Sequence, residues 1–142
     1  MPRVPAHPLL RGAVAGDARF RFVQMSDLHI RDRGDTPSNV DTARNLDTAV
    51  GEVNALDPPP AFVVITGDIA NDEGRGYPLA LEILGRLRVP FVILPGNHDF
   101  AKATAAATLA YASLGLPFYY SFDVGNWHFV CLNAQADAVK TP

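Results

Sequence analysis

The sequence predicts an α/β fold in the order β-α-β-α-β-α-β-β, and three observations carry that prediction. Three short runs of large or β-branched apolar residues each stop abruptly at a polar cluster. Stretches with helical spacing separate these runs. Near the end, a Gly125-Asn126 pair joins two further strand-like segments, which is a hairpin signal. Alternation of strand and helix implies parallel strands with right-handed crossovers. The hairpin adds an antiparallel pair.

Taken in order, residues 1–18 carry Pro2, Pro5 and Pro8 and no long apolar run. They are expected to form a flexible tail ahead of a single domain at 19–142. Phe20 to Met25 alternates large apolar residues and reads as the first strand, ending at Ser26-Asp27-Leu28-His29. Asp35 to Asn39 reads as loop. Ser38 and Asp41 form an S-x-x-D start signal for a helix whose apolar stripe is Val40, Ala43, Leu46, Val50 and Val53. Pro58-Pro59-Pro60 closes that helix, because proline has no N–H to donate and clashes with the preceding turn.

Phe62 to Ile65 is apolar throughout, as befits a strand covered on both faces, and it ends at Thr66-Gly67-Asp68. Tyr77-Pro78 opens a second helix with Ala80, Ile83, Leu84 and Leu87 on its apolar side. Phe91 to Leu94 is the third strand, ending at Pro95-Gly96-Asn97-His98-Asp99. Lys102 to Ser113 is alanine-rich and reads as helix, with Gly115 as its C-terminal cap. Phe118 to Val124 and Trp127 to Asn133 are the hairpin strands.

A length of 142 residues fits one domain. The net charge is −3 and basic residues do not cluster, so no nucleic-acid-binding patch is expected. No stretch approaches a membrane span, and the first residues lack the apolar core of a signal peptide. Cys131 is the only cysteine, which rules out an internal disulfide and suits a reducing compartment. A cytoplasmic location is the expectation.

In an open parallel sheet, ligands bind beyond the carboxyl ends of the strands. Asp27, Asp68 and Asn97 stand at three such ends, 41 and 29 residues apart. A βαβ unit takes roughly 30 residues, so one crossover fits each gap. If the backbone is extended, Asp27 and His29 point the same way and grip one cation. Asp68 has two oxygens with which to bridge two ions. Asn97 offers a neutral oxygen to a second ion. Mixed oxygen and imidazole donors favour Mn, Fe or Zn over Ca. Two such ions clamp a phosphate and generate a hydroxide nucleophile. Gly67 and Gly96, just ahead of Asp68 and Asn97, permit tight turns. His98, oriented by Asp99, is a candidate to protonate the leaving oxygen or to hydrogen-bond the phosphate.

Ser26-Asp27-Leu28-His29, Thr66-Gly67-Asp68 and Pro95-Gly96-Asn97-His98-Asp99 together resemble the first three motifs of the calcineurin-like metallophosphoesterases. The segment from Tyr120-Ser121-Phe122 through Trp127-His128-Phe129 to Leu132-Asn133 resembles the family's next segment. The likeness runs from about Phe20 to Ala134 and is most similar to the bacterial cyclic-nucleotide phosphodiesterase branch. It implies a β-sandwich flanked by helices. It also implies a binuclear site that hydrolyses a phosphodiester with a metal-bound hydroxide. Asp27 and His29 would hold the first ion, Asp68 would bridge, and Asn97 would hold the second. His98 and Asp99 would be catalytic, and a small phosphoester such as a cyclic nucleotide would be the partner.

The family pattern continues with a histidine and a G-H-x-H motif, which the residues up to Pro142 do not contain. The resemblance therefore implies an incomplete sandwich with an unpaired strand edge. It keeps open a truncated, non-catalytic phosphate- or metal-binding module, or a chain completed by another polypeptide. His128, in mid-strand, is expected to be a structural histidine with a satisfied hydrogen bond. His7 is expected to be solvated, Cys131 to be a small core residue, and Asn133 to be a turn or hydrogen-bonding residue. Gly74-Arg75-Gly76 follows no strand directly and lacks a Walker lysine, so it is not a phosphate loop.

Overall fold

A computed structural model describes residues 19–31, 40–71, 75–99, 111–112 and 118–133. In chain order the elements are β1 (Val23–Met25), α1 (Thr42–Asn54), β2 (Val63–Thr66), α2 (Tyr77–Leu84), β3 (Phe91–Leu94), β4 (Tyr120–Val124) and β5 (Trp127–Cys131). The expected tail, His7, the loop at 35–39, Gly74 and Gly115 lie outside the described residues. So does most of the alanine-rich helix, of which Tyr111 and Ala112 are described and helical.

β1, β2 and β3 form a parallel sheet in that order, with Met25 beside Ile65 and Ile65 beside Ile93. β4 and β5 form the separate antiparallel hairpin, in which Phe122 faces Phe129. Side chains alternate across a strand, and the two faces of the parallel sheet enter different cores. Val63, Ile65 and Ile93 join Leu46, Val50 and Val53 of α1 and Ile83 and Leu84 of α2. Phe62, Val64, Val92 and Leu94 join Tyr120, Phe122, Val124 and Cys131 of the hairpin. The result is helices, sheet and hairpin in three layers, and it explains why β2 and β3 read as unbroken apolar runs. Each such side chain, fully buried, contributes about 1.5–3 kcal/mol.

Helix α1 starts later than the S-x-x-D signal implies. Asp41 is the N-cap, and its carboxylate accepts from the Arg44 backbone N–H at 2.9 Å. Val40 therefore precedes the helix and is half exposed, while Leu46, Val50 and Val53 form its buried stripe. Tyr77 and Pro78 do open α2, with Gly76 as N-cap. A Cβ on Gly76 would overlap the Ile30 carbonyl oxygen, so only glycine lets α2 begin against the end of the first strand. Among the described residues β5 pairs with β4 alone, and Trp127, Val130 and Leu132 are largely exposed. No described helix is long and apolar enough to cross a membrane.

Candidate metal centre

Beyond Met25 and Thr66, β1 and β2 stop being strands but stay side by side. The Asp27 N–H donates to Gly67 O at 3.1 Å, His29 N–H to Asp68 O at 2.8 Å, and Ile30 N–H to Ile69 O at 3.0 Å. Ile30 and Ala70 then form an isolated parallel bridge. Within this stretch Asp27, His29 and Asp68 adopt left-handed backbone, with φ of 56°, 46° and 51°. The extended Asp27-Leu28-His29 segment expected from the spacing is not what forms. Left-handed backbone at a residue with a Cβ costs on the order of 1–3 kcal/mol, and here the paired loops impose it three times.

The three side chains nonetheless meet. His29 Nε2 lies 3.7 Å from Asp27 Oδ1 and 3.6 Å from Asp68 Oδ2. One ligand atom from each residue falls within 4.8 Å of the others. Asp68 is buried, His29 partly buried and Asp27 exposed, so the group opens to solvent on one side. Two carboxylates and an imidazole at this spacing suit a divalent transition ion. The two oxygens of Asp68 are differently employed. Oδ1 accepts from the His98 backbone N–H at 3.0 Å, and Oδ2 faces His29. Ser26 Oγ donates to Asp27 Oδ2.

Two glycines let the second and third strand ends touch. Gly67 has a φ of 107°, and a Cβ there would sit 2.6 Å from the Gly96 α-carbon. A Cβ on Gly96 would overlap both Oδ1 and the backbone nitrogen of Asp68. Asn97 lies between that contact and the His98 N–H bound to Asp68. The His98 ring stands edge-on to the His29 ring, with centroids 5.0 Å apart and planes at 81°.

Asp99 is fully buried, and its described hydrogen bonds do not run to the His98 ring that the sequence reading assigns it. Its carboxylate accepts from the backbone N–H groups of Ile69 (3.1 Å), Ala70 (3.3 Å) and Gly96 (2.8 Å), and from Tyr77 Oη (2.6 Å). It thus ties the Asp68 loop, the Gly96 loop and α2 together under the crevice. A buried carboxylate is tolerable because donors surround it. Burial and the Asp99 charge push the Tyr77 hydroxyl pKa far up, so it stays a donor.

Sequence reasoning missed Asn71. Its side-chain amide lies 3.2 Å from His29 Nδ1, the ring nitrogen opposite the one that faces the carboxylates. The signal was a polar residue directly after Ile69-Ala70, in a chain still paired with Ile30: Asn71 N–H donates to Ile30 O at 3.2 Å.

His128 has the satisfied hydrogen bond expected of it. Its Nδ1 lies 2.6 Å from Oδ1 of Asp123, its cross-strand neighbour. Cys131 is a buried free thiol, its pKa pushed up to about 11 by burial, with a Tyr120 hydrogen bond working the other way.

Residues 20–137 match the family described as calcineurin-like phosphoesterase. A probable glycerophosphodiester phosphodiesterase of Arcobacter nitrofigilis is 42% identical over 82 residues, which is 56% of this chain and 30% of that protein. A probable cyclic nucleotide phosphodiesterase of Rhodopseudomonas palustris is 37% identical over 87 residues, covering 61% of this chain and 32% of that protein. The 3',5'-cyclic adenosine monophosphate phosphodiesterase CpdA of Escherichia coli K12 is 30% identical over 133 residues, covering 92% and 48%. The matched segments span between 30% and 48% of the length of these relatives.

Proposed function

This chain belongs to the calcineurin-like phosphoesterase family, and from that premise we propose that it supplies part of a two-metal site that hydrolyses a small phosphodiester. The observation that carries the proposal is the convergence of Asp27, His29 and Asp68 at the ends of two adjacent parallel strands, inside the matched segment. Diesters are favoured because the three relatives above are named for glycerophosphodiester or cyclic-nucleotide hydrolysis.

Divalent ions, when bound, supply Lewis acidity and make water a nucleophile at neutral pH. The chain's own residues do the rest. Asp27 and His29 would hold one ion, with the Asp68 carboxylate beside them. Asp68 also stands against the Gly96-Asn97-His98 turn, where it would be the ligand shared with a second ion and Asn97 would be that ion's further ligand. His98, whose ring is edge-on to that of His29, would hydrogen-bond the phosphate or protonate the leaving oxygen. Asp99 acts through the loops that it ties together rather than on the substrate. A cavity of about 490 Å³ opens beside Asp27 and His29, walled by Met25, Leu28, Val40, Leu46 and Ala49, with Asn45 and Thr42 as polar members. It offers mostly apolar room for the organic part of a diester. The free, buried Cys131 suits a reducing compartment such as the cytoplasm.

The test is calorimetric titration of the chain with Mn²⁺ or Zn²⁺, and turnover of bis(p-nitrophenyl) phosphate on the same sample. Ion binding that Asp68→Asn abolishes is the expected result. Binding indifferent to Asp68 and His29 sinks the site. One bound ion without turnover favours the metal-binding module over the enzyme for this chain taken alone.

A further inference from the structure

We propose that Asn71 is a positioning residue whose amide selects the ring nitrogen of His29 that carries the proton, and couples that selection to Arg31. The inference rests on the reading above, that Nε2 of His29 takes an ion.

A neutral imidazole has one N–H and one lone pair. Nε2 faces Asp27 and Asp68, so ligation there needs the lone pair on Nε2 and the proton on Nδ1. Nδ1 meets the side chain of Asn71, at 3.2 Å. An amide has a donating end and an accepting end, so Asn71 has two settings.

With its oxygen towards His29, Asn71 accepts from Nδ1–H, which leaves Nε2 ready for an ion. Its NH₂ then faces the Arg31 guanidinium, donor against donor. With the amide reversed, the NH₂ donates to Nδ1 at 3.2 Å, and the oxygen accepts from Arg31 Nε at 3.0 Å and Nη2 at 3.3 Å. That setting satisfies Asn71 and Arg31 together, but it leaves the His29 proton on Nε2, where an ion would go. Arg31 and the ion thus compete through one amide. Loading the site turns the Asn71 oxygen to His29 and turns Arg31 away from Asn71.

The competition gives signs that a merely structural role does not. Asn71→Leu removes the acceptor for Nδ1–H and should weaken Zn²⁺ binding about tenfold, the lower end for a residue supporting a metal-bound histidine. Asn71→Asp should tighten it, because a carboxylate accepts from Nδ1–H and Arg31 at once. Arg31→Ala should tighten it as well. Removing a cation near the site does so by charge alone, so the decisive quantity is the cycle. The gain from Arg31→Ala should shrink when Asn71→Leu is already present.

The experiment combines Zn²⁺ calorimetry on the wild type, the three variants and the Arg31→Ala/Asn71→Leu double variant with ¹⁵N spectra of the His29 ring in metal-free protein at mildly alkaline pH. The expected ring is Nε2–H in the wild type, moving towards Nδ1–H in Arg31→Ala. A wild-type ring already Nδ1–H, or one that Arg31→Ala leaves unmoved, overturns the proposal. So does an Arg31→Ala gain of equal size with and without Asn71→Leu. A wild type that binds no Zn²⁺ overturns the metal reading, while the ring spectra still decide the amide coupling.

Discussion

Histidine meets carboxylate both on the hairpin and at the strand ends, and the two meetings differ in kind. On the hairpin, His128 and Asp123 sit opposite each other in ideal strand register, both about half exposed, 2.6 Å apart. At the strand ends, His29 stands 3.6–3.7 Å from two carboxylates, on backbone that three residues hold left-handed. The hairpin contact is shorter and costs the backbone nothing. It is a surface pair of the kind worth about 0–1 kcal/mol. The longer contacts are the ones a site would make, because an ion needs its ligand atoms gathered round a point rather than touching each other. Close approach alone is therefore a poor guide to function here. Convergence of a third ligand and backbone strain are better ones.

The contrast should be largest at the floor of the crevice. Asp99→Ala leaves three backbone N–H groups and the Tyr77 hydroxyl without their acceptor in a buried place. It should cost about 3–5 kcal/mol by chemical denaturation, whereas Asp123→Ala should move the midpoint hardly at all. A loss below about 1 kcal/mol would show that the loops do not depend on Asp99.

Next in size is the ion itself. His29→Ala should lower Zn²⁺ affinity about a hundredfold, equivalent to roughly 2.7 kcal/mol, and His128→Ala should leave it unchanged within error. Equal losses from the two variants would put the hairpin histidine at the site and undo the distinction.

A third change separates space from charge. Gly96→Ala drives a methyl into Asp68 Oδ1 and N and should cost about 1–3 kcal/mol, with weaker ion binding alongside. Gly51→Ala is the control, since a Cβ there meets nothing within 4 Å. It should be neutral or slightly stabilising in the middle of α1. The smallest effect is the surface pair: His128→Ala should change stability by no more than about 0.5 kcal/mol.

Much of this was legible in the sequence. β3 runs from Phe91 to Leu94 as read, and β2 is displaced by one residue, because an apolar run ending in Gly-Asp or Gly-Asn is a sharp boundary. The meeting of Asp27, His29 and Asp68 was legible too, since strand ends in a parallel sheet share one edge. The left-handed turns were not. Asp and His tolerate positive φ better than most residues with a Cβ, but nothing in Asp-Leu-His requires it, and the cross-hydrogen bonds to Gly67, Asp68 and Ile69 that impose it join residues about 40 apart. Asp99 read as the partner of its neighbour His98 because adjacency is visible in a sequence; its bonds to the Ile69, Ala70 and Gly96 N–H groups and to Tyr77 were not legible, because burial under a loop is not. Asn71 escaped for a related reason: its contact with His29 exists only because Ile30 and Ala70 pair again after the loops. The helix start moved from Ser38 to Asp41 because both residues can cap and sequence alone does not choose between them.

The left-handed triad also bears on how such a sequence would age. At Asp27, His29 and Asp68 the fold would be easier to make with glycine or asparagine, the residues that take positive φ with least penalty. Folding and the proposed ion binding therefore pull these three positions in opposite directions. In a lineage that stopped using the ion, selection for foldability would no longer be opposed there, and drift towards small, permissive residues would begin at these positions before it reached the core. The same conflict makes them a measuring device. A library randomised at Asp27 and His29 and sorted only for stability should fill with glycine and asparagine, and one sorted for ion binding should return aspartate and histidine.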